Sequence, residues 1–404
     1  MSLPLEGIKV IDWTVWMAGP SASALLGSLG ADVVKIEDMH SGDPGRGTKR
    51  MGGMPAELPT GSSVSWEFYN RDKRDIALDL KTQGGKEIVY RLVKEADVFV
   101  QNYRQGVAQR LGLDYERLRQ INPRLVYASV TGFGPKGPLS KEPALDPMGN
   151  AFSGFMMGST DPGQSLVRIA SGVADTTTGL TLAFGILTAL RARDRFGVGQ
   201  EIAVSLLGSM MWAQALSIMP ALLLGKPAPK RPRTQAANPL HNHYLCADGR
   251  WIMLGNLQSD RYWPTFCRAV GLPQLEKDPR FHDSASREAH CEDLVKLLDD
   301  VFDTRTCQEW IGILKGSGDL LCCPVHDYAS LVEDAQVIAS EYVVEQDHPV
   351  LGHIRTLGLP IHFSETPGKL RRPAQQIGEA TEEVLLELGY SWEDISRLRE
   401  AGAI

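Results

Sequence analysis

The chain has 404 residues, too many for one ordinary hydrophobic core, so about two domains are expected. Its hydrophobic content of 43% and charged content of 23% are those of a soluble globular protein. The net charge of −7 argues against nucleic acid as the main partner, since phosphate backbones need a basic face. It leaves room for a nucleotide-like ligand held by a local patch of Arg and Lys.

Residues 7–13 read as a first strand, Ala18-Gly19-Pro20 as a turn, and 21–29 as a helix with Gly30 at its C-cap. A second strand over 32–37 completes a βαβ unit of the length a right-handed parallel crossover needs. Glu37 stands where a dinucleotide fold keeps its ribose-binding acid. The residues after the first strand, TVWMAGPSASALLG, carry no GxGxxG, so NAD and FAD are not expected. Residues 38–66, rich in Gly, Pro, Ser and Met, form a surface loop. Strands are then expected at 75–80, 96–101 and 125–130, with helices at 82–95 and 111–121 between them. This alternation implies an α/β fold with a parallel sheet. Lys73, Arg74, Lys81, Asn102, Arg104 and Arg110 fall near strand ends, where together they could meet an anionic ligand.

The run 125–130 breaks at TGFG, passes Pro135, Gly137, Pro138 and Pro143, and reaches Asp146 just before helical spacing resumes at 151–154. A carboxylate between a glycine-rich strand end and a helix start is where open α/β sheets put chemistry, and equally where an N-cap sits. The residues alone leave both open. A helix follows over 172–192. Residues 202–225 contain no charge and are long enough to span a bilayer, but the interruptions by Ser, Gly, Gln and Pro220 favour a buried helix. Lys226 to Arg233, KPAPKRPR, is a basic, proline-rich linker and the clearest boundary. Beyond it a hairpin around Asp248-Gly249, helices at 260–270, 289–302 and 306–314, strands at 349–354 and 356–361, and helices at 380–388 and 392–401 are expected. The domains are thus 1–225, a large α/β domain; 226–330, a smaller α+β domain; and 331–404, a tail returning to the first. The six cysteines, 246, 267, 291, 307, 322 and 323, form no pattern of paired CxxC motifs, so no metal site is expected. With no secretory signal ahead of Leu3, free thiols in a reducing cytoplasm fit best.

Several blocks carry a family resemblance. GIKVIDWT, LGADVVKIE, NRDKRDIALDLKT, the Asn102-Tyr103 pair, LGLDYERLRQINPRLVYASVTGFG, FSGFMMG, GVADTTTGLTLAFGILTAL and LGYSWEDISRLREAGAI resemble, in order and spacing, the class III CoA-transferases along essentially the whole chain. The resemblance implies a Rossmann-like large domain, a smaller α+β domain and an interlocked, ring-like dimer, as a homodimer or a heteromer with a related subunit. It implies Asp146 as the catalytic nucleophile, working through aspartyl anhydride and aspartyl-CoA thioester intermediates. It places CoA, a substrate rather than a resident cofactor, around Val15, Trp16, Met17, Ala18, Leu78, Lys81, Asn102, Tyr103, Val107, Arg110 and Lys136. Two departures stand out. Asp38 lies where some members have an arginine, and the glycine loop that some members fold over the site is absent from the 234–239 region, leaving Asn238, His241 and His243 to exclude water. The segment with Trp251, Tyr262 and Trp263 resembles the branch that handles aryl or dicarboxylic acids, such as benzylsuccinate with succinyl-CoA as donor, and the same aromatics fit a domain core. The racemases of the superfamily carry a histidine before this aspartate. Leu145 stands there and transfers no proton. A silent CoA-binding subunit is the rival from outside enzymology.

Overall fold

The computed structural model describes residues 2–51 and 53–404. By contacts the chain forms two compact units, one of Met1–Ser159, Leu166–Lys226 and Ala339–Ile404, the other of Thr160–Ser165 and Pro227–Ile338. The first is built on six strands: β1 (Lys9–Trp13), β2 (Asp32–Asp38), β3 (Lys73–Leu78), β4 (Val98–Gln101), β5 (Val126–Thr131) and β6 (Gln200–Ser205). They lie in the order β3-β2-β1-β4-β5-β6, and every neighbouring pair is parallel. This is the doubly wound order, with a switch point between β1 and β4.

The strands are apolar on both faces because helices cover both. Successive residues separate accordingly. Val10, Val98, Val100, Val126 and Ala128 join a core with Ala22 and Leu26 of α1 (Ala18–Ser28) and Leu182 and Ile186 of α4 (Val173–Phe196). Ile11, Phe99 and Tyr127 point the other way, to Ile88, Val89 and Val93 of α2 (Gln83–Glu95) and to Val384 and Ile395 of the returning tail. The tail is also tied by backbone: the Ala380 N–H donates to the Asp75 carbonyl at 2.8 Å and the Arg371 N–H to Asp72 Oδ1 at 2.6 Å.

Four local expectations are corrected. Ala18-Gly19-Pro20 is the first turn of α1, where proline's fixed φ and missing N–H cost nothing. The helix expected at 111–121 is two, Val107–Leu111 and Tyr115–Ile121, because Gly112 at φ +73° ends one and Asp114 caps the next. Residues 202–205 end a strand. The apolar run then continues as α5 (Leu206–Ala213) and α6 (Ala215–Leu224), bent by 86° at Gln214, so it is no single span. Nor is it buried throughout: Leu206 and Met210 of α5 join the core, but no residue of α6 does, and Trp212 is 84% exposed and Leu216 90%. The helix among the described residues that is long and apolar enough to cross a membrane is α4, whose inner face lies in the core just described.

The second unit has an antiparallel sheet of β7 (His243–Leu245), β8 (Trp251–Leu254) and β9 (Cys322–Val325), with β8 in the middle. The Asp248-Gly249 turn joins β7 to β8, with Gly249 at φ +73°. Helices α7 (Ser259–Ala269), α8 (Cys291–Phe302) and α9 (Cys307–Gly316) pack Trp263, Phe266, Phe302 and Trp310 into its core. Trp263 is therefore core, with its Nε1 donating to the Leu275 carbonyl. Asn238 holds the Asn256 carbonyl at 3.0 Å rather than standing free as a cover. All six cysteines are free thiols.

Candidate active site

The chain leaves β1 and β4 toward opposite faces of the sheet, opening a crevice at their carboxyl ends. Side chains from three places fix the backbone there. Lys35 Nζ donates to the Thr14 carbonyl at 2.9 Å. Asn102 takes the Val15 N–H on Oδ1 (2.8 Å) and gives Nδ2 to the Val15 carbonyl (2.6 Å). Asp43 Oδ1 accepts the Trp16 N–H at 3.0 Å. Trp16 is thereby held at φ +65°, a left-handed conformation that costs a bulky L-residue about 1–2 kcal/mol. Such an outlier persists only where its surroundings enforce it.

Those surroundings are a buried chain of charges. Lys35 pairs with Asp43 at 3.0 Å and Lys73 with Asp12 at 2.8 Å, all four buried. Burial alone would raise the Asp12 carboxyl, but Lys73 and Lys35 hold it well below the usual carboxylate range. Burial pushes Lys73 down to about 8 despite Asp12. Glu37 is engaged by Arg46 and by the Asp43 N–H. This corrects the expected basic cluster. Lys73 and Arg74 begin β3, at the opposite edge of the sheet, and both are consumed inside the fold, Arg74 by Asp32, Glu383 and Glu387.

On the other side of the crevice, Gly132 ends β5 so tightly against Ala144 that an added Cβ would lie 2.3 Å from the Ala144 Cβ. This contact brings the Ala144-Leu145-Asp146 segment to the strand end. Asp146 opens α3 (Asp146–Phe152), and the cap position belongs to Leu145, so the N-cap reading fails. The carboxylate is bound instead by the start of α4: Oδ1 accepts the N–H groups of Ala174 (2.8 Å) and Asp175 (3.2 Å), and Oδ2 accepts Asn150 Nδ2 (3.1 Å). Gly149, whose added Cβ would meet Ala174 and Leu206 at 3.0 Å, lets α3 approach that closely. A helix N-terminus is a natural anion seat. Asp175 is its neighbour, and burial together with the Asp146 charge pushes its carboxyl up to about 7.

A cavity of about 630 Å³ fills the crevice. Of the sequence-expected contacts, Val15, Trp16, Ala18, Asn102, Tyr103 and Val107 line it, as does Arg104. Asp146 does not itself line it, but Leu145, Met148 and Asp175 around it do. Met17, Lys81, Arg110 and Lys136 are not brought to the cavity; the last three are exposed elsewhere on the unit. Leu78 is core, and its carbonyl accepts the Met39 N–H. Tyr103 is anchored by stacking on Trp13, with ring centroids 4.2 Å apart. Sequence reasoning missed Asp175, Lys141 and Glu142 as lining residues. An acid in the first turn of a helix is too common a feature to mark Asp175. Among the described residues no group of three or more His, Cys, Asp or Glu could hold a metal ion.

Known proteins are similar to this chain along its length. The chain is 30% identical over 402 residues to (R)-2-hydroxy-4-methylpentanoate CoA-transferase of Clostridioides difficile, covering 99% of both chains. It is 30% identical to succinyl-CoA:glutarate CoA-transferase of Homo sapiens, over 99% of this chain and 90% of that one. A CAIB/BAIF family protein from Brucella suis superposes with a TM-score of 0.84 at 30% identity, covering 96% of this chain and all of that structure. The family description "CoA-transferase family III" matches residues 5–381. With a doubly wound sheet, a crevice at its switch point and these relatives along its whole length, the chain belongs to CoA-transferase family III and is a CoA-transferase.

Proposed function

We propose that the enzyme moves CoA from an acyl-CoA donor to a carboxylic acid with Asp146 as nucleophile. The observation that carries this is the seat of the Asp146 carboxylate, fixed by two N–H groups of α4 beside the crevice. One oxygen of the ionised carboxylate attacks the thioester carbonyl, CoA thiolate departs, and a mixed anhydride remains. The thiolate then attacks the Asp146 carbonyl, releasing the donor acid and leaving an aspartyl-CoA thioester. The acceptor carboxylate reverses the sequence. When Oδ2 is the attacking atom, Oδ1 becomes the carbonyl oxygen and, on each later attack, the oxyanion. The N–H groups of Ala174 and Asp175 already point at it. They take the oxyanion role, each well-placed donor being worth about 3–4 kcal/mol.

The acids we propose are an aryl or dicarboxylic acceptor and succinyl-CoA as donor, supported by the sequence resemblance and by the succinyl and glutarate groups in the name of the human relative. CoA would enter along Val15, Trp16, Ala18, Asn102, Tyr103 and Val107. Leu145, which cannot carry a proton, disfavours a racemase. The bare apolar surface of α5 and α6 supports an interlocked dimer, and six free thiols support a cytoplasmic location. The test is trapping. After incubation with a panel of acyl-CoAs and a hydroxylamine quench, mass spectrometry should find a hydroxamate on Asp146. CoA binding with Asp146 unmodified by every donor would sink the nucleophile and favour a silent subunit.

A further inference from the structure

Asp175 takes part in the site twice. Its N–H serves Asp146, and its side chain lines the cavity, where its carboxyl makes no hydrogen bond among the described residues. A carboxyl in the first turn of a 24-residue helix is well placed to ionise. Here burial first and the Asp146 charge second oppose that, and the carboxyl keeps its proton up to about 7. Few other charged groups face it. From the Val64–Asn70 helix comes the neutral hydroxyl of Tyr69, bonded to Thr176 Oγ1 at 2.9 Å. From the cavity walls come Arg104, Lys141 and Glu142, all exposed and screened by water. The neighbouring α5 contributes only Leu206.

We propose that Asp175 is a second catalytic residue, a carboxyl kept neutral so that it donates a hydrogen bond to the anion that forms or arrives in the site. The inference rests on Asp146 as nucleophile. Transfer carries one negative charge throughout and consumes no proton. The Asp146 oxygen bonds to the thioester carbon, the C–S bond breaks, and its electron pair leaves on sulfur. The thiolate then spends that pair on a new C–S bond to the Asp146 carbonyl carbon, and the charge departs as the donor carboxylate. At each stage the proton on Asp175 stays where it is and stabilises thiolate or carboxylate through an O–H donor. Ionised Asp175 would instead set a second negative charge where the acceptor carboxylate must come.

The experiment follows acceptor kcat/KM from about pH 5.5 to 9 in the parent, Asp175→Asn and Asp175→Ala, with Asp146 trapping scored separately in each. The parent should lose rate about tenfold per pH unit above an apparent pKa near that of Asp175. Asp175→Asn keeps a neutral but weaker donor. It should be about tenfold slower at neutral pH and lose the alkaline limb, while Asp175→Ala should be slower still. A flat parent profile, or the parent's limb persisting in Asp175→Asn, overturns the role of Asp175 while intact trapping leaves Asp146 standing. Absence of trapping in the parent overturns the nucleophile, and this inference with it.

Discussion

Asn102→Ala tests whether the loop after β1 is a built part of the site. The substitution deletes two hydrogen bonds, at 2.8 and 2.6 Å, that clamp both polar groups of Val15. At about 0.5–1.5 kcal/mol net each, they contribute about 1–3 kcal/mol to the loop's conformation. Against this stands the left-handed Trp16, which recovers about 1–2 kcal/mol if the loop relaxes. The two nearly offset each other, so global stability should change by about 1 kcal/mol or less, because relaxation of Trp16 compensates for the lost clamp. CoA binding has no such compensation. Ordering the loop is then required of the ligand, and 1–3 kcal/mol of affinity is about 5- to 150-fold in KM for the acyl-CoA. Steady-state kinetics with acyl-CoA varied, beside urea unfolding of the same protein, separate the two. A KM within about twofold of the parent, or a loss of stability above about 3 kcal/mol, would refute the reasoning. The first would mean the loop does not meet CoA, the second that Asn102 is a structural residue.

Lys73→Met should lower stability by about 3–5 kcal/mol, read as a shift in urea midpoint, because it strips the fully buried Asp12 of its ion-pair partner and leaves the hydroxyls of Ser23 and Thr14 and the more distant charge of Lys35. Asp175 predicts a pH dependence of stability. Its folded carboxyl holds a proton that the unfolded chain has lost, so stability falls as pH climbs from about 4 to about 7 and is level above. Over the interval from 3.8 to about 7, at 1.36 kcal/mol per pH unit, the loss is at most about 4 kcal/mol, and about 2 once water in the cavity is allowed for. Asp175→Asn should therefore unfold at higher urea than the parent at pH 8 and at the same urea at pH 4; equal midpoints at both would show that the carboxyl is not strained.

The parallel sheet was legible because its strands are short β-branched runs set between helix-period segments, a signal that survives without tertiary information. Where the signal thins, the reading fails for a physical reason. Ile202-Ala203-Val204 is apolar and short, and periodicity does not separate a buried strand from the start of a buried helix. What decides it is the free edge of β5, to which residues 200–205 pair. Charges are harder still. Lys73 and Arg74 look like a ligand-binding pair beside a strand, and only the fold reveals Asp32 waiting on the neighbouring strand β2 and Asp12 on β1 beyond it. Asp146 sits at an intermediate level. Local sequence marks it as exceptional but reads it as a cap, because the donors that bind it are 28 and 29 residues further on.

The missing glycine fingerprint now has a structural reason. In a dinucleotide fold the first loop stays free of side-chain partners so that its N–H groups can face a pyrophosphate at the helix start. In this chain the same loop is closed from within. The Val15 N–H is given to Asn102, the Trp16 N–H to Asp43, and the Thr14 carbonyl accepts Lys35. A backbone so occupied offers no cradle to a phosphate, and glycine would gain nothing there. What it offers instead is a rigid wall, with Trp16 projecting from a left-handed conformation that Asn102, Asp43 and Lys35 hold together. The proposed chemistry lies instead at another helix start beside this crevice, that of α4 in the crossover from β5 to β6. There α4 directs its first N–H groups not at a ligand's phosphate but at the protein's own carboxylate. The topology that elsewhere binds a cofactor here seats Asp146 beside the crevice, which is what the proposed role of Asp146 as nucleophile requires.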